Sequence, residues 1–106
     1  MPKYMFTGSY TATGVAGLRK EGGTGRRAAT EQLVASLGGR VEAYYFAFGG
    51  DDFVLIADLP GNVQAAAGSL AGSSSGALNV RTTVLLTPEE MDAATKQSAT
   101  YRPPGE

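Results

Sequence analysis

The sequence predicts one α+β domain in which four strands and two main helices follow each other in the order β-α-β-β-α-β. Three observations support this. Four segments have strand length and strand patterning, two longer segments carry apolar residues at helical spacing, and 106 residues is the size of one domain. Because crossover connections are right-handed, this order folds into a four-stranded antiparallel sheet with both main helices on one face, the ferredoxin-like arrangement.

The first strand and the helical crossover after it occupy residues 3–37. Lys3 to Tyr10 alternates with a period of two, which predicts a strand. Thr11 to Gly14 is expected to redirect the backbone, and Val15 to Glu21 to begin a helix. Glycines at positions 22, 23 and 25 are expected to break that helix before it resumes at Arg26, because glycine is a poor helix former. Gly38-Gly39 ends the second piece.

The middle of the chain predicts a β-hairpin. Arg40 to Phe48 is rich in aromatic residues and Phe53 to Leu59 is apolar, so both are predicted to be strands. Gly49 to Asp52 between them is typical of a short turn, so the two strands are expected to pair antiparallel.

The last part of the chain predicts a helix, a fourth strand and a short final helix. Asn62 is expected to cap a helix whose packing face consists of Val63, Ala66, Ala67, Leu70 and Ala71. Gly72 to Gly76 ends that helix, Val80 to Leu86 is the fourth strand, and Thr87 and Glu90 fit a capping box. Residues 98–106 have no helical or strand period, so we divide the chain into a domain, residues 1–97, and an irregular C-terminal tail.

The composition narrows the range of functions. Nine basic against ten acidic residues produce no positive field, so neither nucleic acid nor a membrane is an expected partner. The absence of histidine and cysteine excludes imidazole and thiolate ligands and a Ser-His-Asp relay, and we expect no metal and no cofactor. The first residues lack the pattern of a secretory signal, which predicts a cytoplasmic protein.

The predicted strands carry apolar residues on both of their alternating sets. On the third strand, Phe53 and Leu55 point to one face and Val54 and Ile56 to the other. In a sheet with one solvent-exposed face, apolar and polar residues alternate more regularly along each strand. We therefore predict a homodimer, in which a second copy covers the sheet face that the helices leave bare. The alternatives are that the tail covers this face, or that its apolar residues are tolerated singly.

Four segments match a known family in their order and spacing. They are Tyr4-Met5-Phe6-Thr7-Gly8-Ser9-Tyr10-Thr11, Leu37-Gly38-Gly39, Phe48-Gly49-Gly50-Asp51-Asp52-Phe53, and Val80-Arg81-Thr82-Thr83 with Leu86-Thr87-Pro88-Glu89-Glu90. On these residues the chain resembles the GYD-domain proteins, small bacterial proteins of largely unassigned function. The resemblance implies a dimeric α/β barrel. Asp51 stands where the family carries the tyrosine of its name-giving Gly-Tyr-Asp, so no role of that tyrosine carries over.

Five residues are candidates for a ligand site. Tyr4, Tyr10 and Tyr44 lie on predicted strands, where buried hydroxyls need partners and where a cavity can form. Asp52 is a candidate acid or base, although an aspartate in a glycine-rich hairpin usually accepts turn hydrogen bonds. Arg81 is a candidate partner for a carboxylate of a ligand or of the second subunit, unless it is solvated at a strand end.

The glycine-rich segment at residues 22–27 has two interpretations. Its glycine amides and its arginines could bind an anion, but the segment lacks the Walker lysine-serine ending and does not directly follow a strand. A flexible break in a helix, forming a lid over the sheet, is the favoured interpretation.

Three functional hypotheses follow. The first is a homodimeric binding module whose apolar cavity, lined by strand tyrosines, accepts a small organic molecule. The second is a cofactor-free oxygenase or isomerase in which Asp52 or Asp58 acts as a base after burial raises its pKa. The third is a structural or regulatory dimer with a filled core.

Overall fold

A computed structural model describes all 106 residues of the chain. Its elements in chain order are β1 (Lys3–Tyr10), α1 (Ala12–Glu21), α2 (Gly23–Ser36), β2 (Arg40–Phe46), β3 (Phe53–Asp58), α3 (Asn62–Ser74), β4 (Leu78–Leu85) and α4 (Pro88–Thr95). The four strands form one antiparallel sheet in the order β2-β3-β1-β4. This arrangement confirms the predicted ferredoxin-like α+β fold.

The register of the sheet separates two faces with different surroundings. Phe6 lies opposite Leu55 and Gly8 opposite Phe53, and these side chains point to the inner face, which α2 and α3 cover. Met5 lies opposite Ile56 on the outer face, which no element of the chain covers. The buried core lies entirely on the inner side and consists of Tyr4, Phe6, Val34, Phe53, Leu55, Ala57, Leu59 and Ala65.

The crossover from β1 to β2 is made of two helices, as predicted, but their boundaries differ from the prediction. Helix α1 already begins at Ala12, and Thr11 caps it: the Thr11 side chain accepts a hydrogen bond from the Gly14 amide at 3.2 Å. The break falls at Gly22 alone, whose φ of 83° is accessible mainly to glycine. Helix α2 therefore begins at Gly23 rather than at Arg26.

The packing face predicted for α3 is wrong at Val63, Ala66 and Leu70. Val63 is 77 % exposed and Leu70 is 69 % exposed, while Ala65 is buried against the sheet. The helix turns its smallest residues inward because they permit close approach: a Cβ added to Gly72 would lie 3.2 Å from Val80 Cγ2. Val63, Ala66 and Leu70 remain on the surface, and we call them the α3 stripe.

The chain after β4 forms an arm that projects from the domain. Helix α4 has the predicted capping box between Thr87 and Glu90, yet every residue of α4 is exposed. The longest dimension of the molecule is 56 Å, and its radius of gyration is 16.8 Å; a compact chain of about 100 residues has roughly 13 Å. We call residues 86–106 the C-terminal arm. None of the four helices has the length and apolar character needed to cross a membrane.

Candidate functional site

A cavity of about 240 Å³ lies between the inner face of the sheet and the two helices that cover it. Of its 18 lining residues, 13 are hydrophobic. Phe6, Phe53 and Leu55 contribute the sheet side of the cavity, and Leu33 contributes part of the α2 side. The site is therefore an apolar pocket inside the domain, of the kind that accepts small organic molecules.

The cavity exists because of what α3 presents to the sheet. Helix α2 packs against β2, whereas α3 packs against β4. The α3 residues that face the space between them include Gly68 and Gly72, which have no side chains to fill it. The large residues of α3 point away from the sheet, so the space stays open.

Two tyrosines bring hydroxyl groups to this apolar pocket. The Tyr10 ring packs against Phe53 with centroids 5.5 Å apart, and the Tyr44 ring packs against Phe46 at 5.4 Å. Burial raises the pKa of Tyr10, and the neighbouring Tyr44 hydroxyl adds to the effect. The Tyr10 hydroxyl therefore remains protonated through the physiological range and can donate a hydrogen bond.

Arg26, in the first turn of α2, is the charged residue that lines the cavity. Its Nε atom is buried and has no hydrogen-bond partner, although Glu21 Oε2 lies 3.5 Å away. Thr30, one turn further along, also lines the cavity, and its hydroxyl donates to the Arg26 carbonyl oxygen at 3.0 Å. The pocket thus combines apolar walls with a guanidinium and two phenol groups.

Of the five candidate site residues, the structure brings only Tyr10 and Tyr44 to the cavity. Tyr4 is 1 % exposed in the core, and its hydroxyl donates to Asn62 Oδ1 at 2.6 Å, which ties β1 to the start of α3. The hydroxyl of Tyr4 thus has a structural partner.

Asp52 and Arg81 lie outside the cavity. Asp52 Oδ2 accepts a hydrogen bond from the Tyr10 amide at 2.9 Å, and the Asp52 amide donates to the Gly8 carbonyl oxygen at 2.8 Å, so Asp52 fastens the hairpin to β1. Arg81 lies opposite Thr7 and forms an exposed ion pair with Asp51. The adjacent carboxylates of residues 51 and 52 are therefore engaged separately.

Arg26 was missed as a cavity residue, although its segment was singled out. The glycines at positions 23 and 25 belong to α2 rather than to an anion-binding loop, so the predicted lid is an ordinary helix start. The break at Gly22 allows α2 to run over the sheet in a different direction from α1. The direction of α2 determines which of its side chains enters the cavity, and the periodicity of the sequence does not predict that direction.

A second charged cluster lies at the edge of the outer face. Asp58, only 6 % exposed, accepts a hydrogen bond from Lys3 Nζ at 2.9 Å and lies 3.3 Å from an Arg40 guanidinium nitrogen. The hydrogen bond from Lys3 holds the pKa of Asp58 below its ordinary value of 3.8. Glu42 also pairs with Lys3 at 3.0 Å. The cluster is internally neutralised, and no group of three or more acidic residues is placed to hold a metal ion.

Comparison with known proteins identifies one relationship. A family model described as GYD domain matches residues 4–95, which include all four helices and every strand residue except Lys3. No curated protein and no solved structure matches the chain at a significant level.

Proposed function

The chain belongs to the GYD domain family, and we propose that it is a homodimeric binding protein that holds a small organic molecule between its sheet and its helices. The observation that carries the proposal is the apolar cavity of about 240 Å³ with two tyrosines in its wall. A filled interior would have favoured a purely structural dimer. A cavity with polar groups in an apolar wall is the usual form of a small-molecule site.

The placement of the carboxylates favours binding over cofactor-free catalysis. Asp52 is occupied in fastening the hairpin, and Asp58 lies on the opposite side of the sheet with a lowered pKa. A general base has to reach the proton that it abstracts, and it works best with a pKa near the operating pH. No aspartate or glutamate lines the cavity, so the pocket supplies recognition groups rather than a base.

The outer face of the sheet supports the homodimer. Met5, Val54 and Ile56 form a half-buried apolar centre, and Tyr45 on β2 is 67 % exposed. Charged pairs lie at both ends of this face, one around Asp58 and one at Arg81. An apolar centre with a polar rim is the composition of a protein interface.

The binding proposal is tested by blocking the cavity. Ala29 lines it, whereas Ala28 on the same helix is exposed and does not. We expect Ala29→Phe to abolish uptake of benzamide, a neutral one-ring probe, and Ala28→Phe to leave uptake unchanged, measured by amide chemical-shift titration. The two variants add the same side chain to the same helix, so a difference between them reports on the cavity.

Native mass spectrometry of freshly purified protein gives an independent reading of the same proposal. We expect a retained ligand mass that Ala29→Phe loses and Ala28→Phe keeps. If Ala29→Phe unfolds the chain, Ala71→Phe on α3 blocks the cavity from a more exposed position. The proposal is overturned if benzamide shifts no cavity amide, or if both blocked variants bind as the unaltered chain does.

A further inference from the structure

We infer that the ligand of this cavity is a small organic anion, with an apolar body of about one ring and a carboxylate that lies against Arg26. The inference rests on the proposed binding function and specifies the chemical class of its ligand. It depends on the charge and unmet hydrogen bonding of one end of the pocket and on the size of the pocket.

One donor at the wall of the cavity is unsatisfied. Arg26 Nε is buried without a hydrogen-bond partner, and a buried polar group in this state costs free energy until an acceptor reaches it. A carboxylate is the best acceptor for a guanidinium, since its two oxygens match two parallel N–H groups and both partners are charged. An anionic group of a ligand is therefore expected to bind next to Arg26.

Glu21 already approaches Arg26 from outside the cavity. Its Oε2 lies 3.5 Å from Arg26 Nε, and a Cβ added to Gly25 would lie 2.9 Å from Glu21 Cγ, so this side chain folds over the start of α2. Glu21 ends α1, while Arg26 belongs to α2 beyond the break at Gly22. The Glu21 side chain is 37 % exposed and does not line the cavity, so it is a loosely held partner that a ligand carboxylate would compete with for Arg26.

Two phenols line the same cavity as Arg26. They belong to Tyr10 and Tyr44, and the charge of Arg26 acts on Tyr10. Because burial raises the pKa of Tyr10, its hydroxyl is neutral and donates rather than repels an incoming anion. We therefore expect the phenols to assist Arg26 in binding a carboxylate.

The size of the cavity limits the body of the ligand. An apolar cavity of roughly 150 Å³ in another protein takes up benzene, so a cavity of about 240 Å³ has room for one ring and a carboxylate. The apolar walls bind the ring, and the polar end orients it.

The test compares benzoate with benzamide, which has nearly the same shape and no charge. At neutral pH and low salt we expect benzoate to bind about tenfold more tightly, from the added charge-assisted hydrogen bonds. Arg26→Gln should abolish the preference. Arg27→Gln should keep it, because Arg27 is exposed, pairs with Glu31 and does not line the cavity.

Glu21→Gln should increase the preference for benzoate over benzamide, the opposite of the effect expected for Arg26→Gln. Removing the competing carboxylate should raise the affinity for benzoate about threefold and leave the affinity for benzamide unchanged, a pattern that a general loss of structure would not produce. Arg26→Lys, which keeps the charge, should retain part of the preference if Arg26→Gln proves unstable.

The outcomes separate this inference from the proposed function. Equal affinities for benzoate and benzamide, or a preference that survives in Arg26→Gln, would overturn the anion inference while leaving the cavity as a binding site. Failure of both probes to shift any cavity amide would overturn the binding function and the inference with it.

Discussion

Two glycines on α1, one turn apart, have opposite surroundings. A Cβ added to Gly14 would lie 1.8 Å from the Ala77 carbonyl oxygen, whereas a Cβ added to Gly17 would have no neighbour within 4 Å. The Ala77 oxygen cannot move freely, because it accepts a hydrogen bond from the Thr11 amide at 2.9 Å. Gly14 is therefore required for the close contact of α1 with the start of β4, and Gly17 is not.

We expect alanine at these two positions to change stability in opposite directions. Gly14→Ala should lower the free energy of unfolding by about 1–3 kcal/mol through overpacking. Gly17→Ala should raise it by about 0.5–1 kcal/mol, because alanine loses less backbone entropy in a helix. Urea unfolding followed by circular dichroism measures both. A stabilised Gly14→Ala variant would show that α1 does not lie against Ala77.

Asp58 is the residue whose charge matters most to the edge of the sheet. Its neighbours Lys3 and Arg40 keep it ionised when folded, and we expect Asp58→Asn to cost about 2 kcal/mol through the loss of charge-assisted hydrogen bonds. Asp51→Asn breaks an exposed pair and should cost less than about 1 kcal/mol. Equal costs for the two variants would contradict the distinction drawn between the clusters.

The same carboxylate makes a defined contribution to acid unfolding. Since its pKa is lowered in the folded state, the contribution is present above its ordinary value of 3.8 and is lost as the pH falls through the folded pKa. We expect the unaltered chain to lose stability more steeply than Asp58→Asn below about pH 4. Thermal unfolding midpoints between pH 2 and pH 7 measure this, and parallel curves would contradict it.

At the scale of elements, α4 is a helix held by its cap rather than by packing. The Thr87 side chain accepts from the Glu90 amide at 3.1 Å, and the Thr87 amide donates to Glu90 Oε1 at 2.9 Å. Thr87→Ala removes one of these bonds and should destabilise α4 by about 1 kcal/mol. Because α4 is exposed throughout in the single chain, the unfolding midpoint of the domain should not change in a dilute, monomeric sample.

Far-ultraviolet circular dichroism and amide hydrogen exchange distinguish local destabilisation of α4 from destabilisation of the whole domain. Exchange in α4 should accelerate in Thr87→Ala while exchange in β1 and β3 stays as slow as in the unaltered chain. Slower exchange of α4 than of the domain, in a dilute monomeric sample, would show that α4 packs somewhere on its own chain.

The strands were predictable because their signal is local, and the orientation of α3 was not. Lys3–Tyr10 was predicted to the residue, since its alternation reports both the element and its faces. In α3 the apolar pattern predicts that Val63 and Leu70 face the sheet, but the face that packs against the sheet consists of alanine and glycine. Close approach there depends on the shape of β4, which is distant in the sequence.

The candidate site was likewise predictable only in part. Tyr10 and Tyr44 reach the cavity because they share the inner face of adjacent parts of the sheet, which follows from strand period and order. Arg26 reaches it only through the angle between α1 and α2 at Gly22. Residues placed by a strand were found from the sequence, whereas the residue placed by a helix break was not.

At the scale of the whole molecule, the outer face and the C-terminal arm are the two surfaces that support the proposed homodimer. Four strands about 4.8 Å apart and about seven residues long give the outer face a flat area of roughly 450 Å². Each partner of a standard interface buries roughly 800 Å² of accessible surface, a measure that also counts the relief of the side chains. The C-terminal arm is exposed at every residue except Thr87, and we expect it to add to the contact area by lying against the second copy.

Two substitutions test the proposed homodimer and the surface that would form it. Tyr45→Lys places a charge on the outer face, and Val63→Lys places the same charge on the α3 stripe; both side chains are more than two-thirds exposed in the single chain, so neither should impair folding. We expect the unaltered chain and Val63→Lys to sediment as dimers and Tyr45→Lys to dissociate at least tenfold more readily, because burying an unpaired ammonium in an apolar interface is costly. A folded chain that sediments as a monomer at high concentration would overturn the homodimer, and dissociation caused by Val63→Lys alone would move the interface to α3.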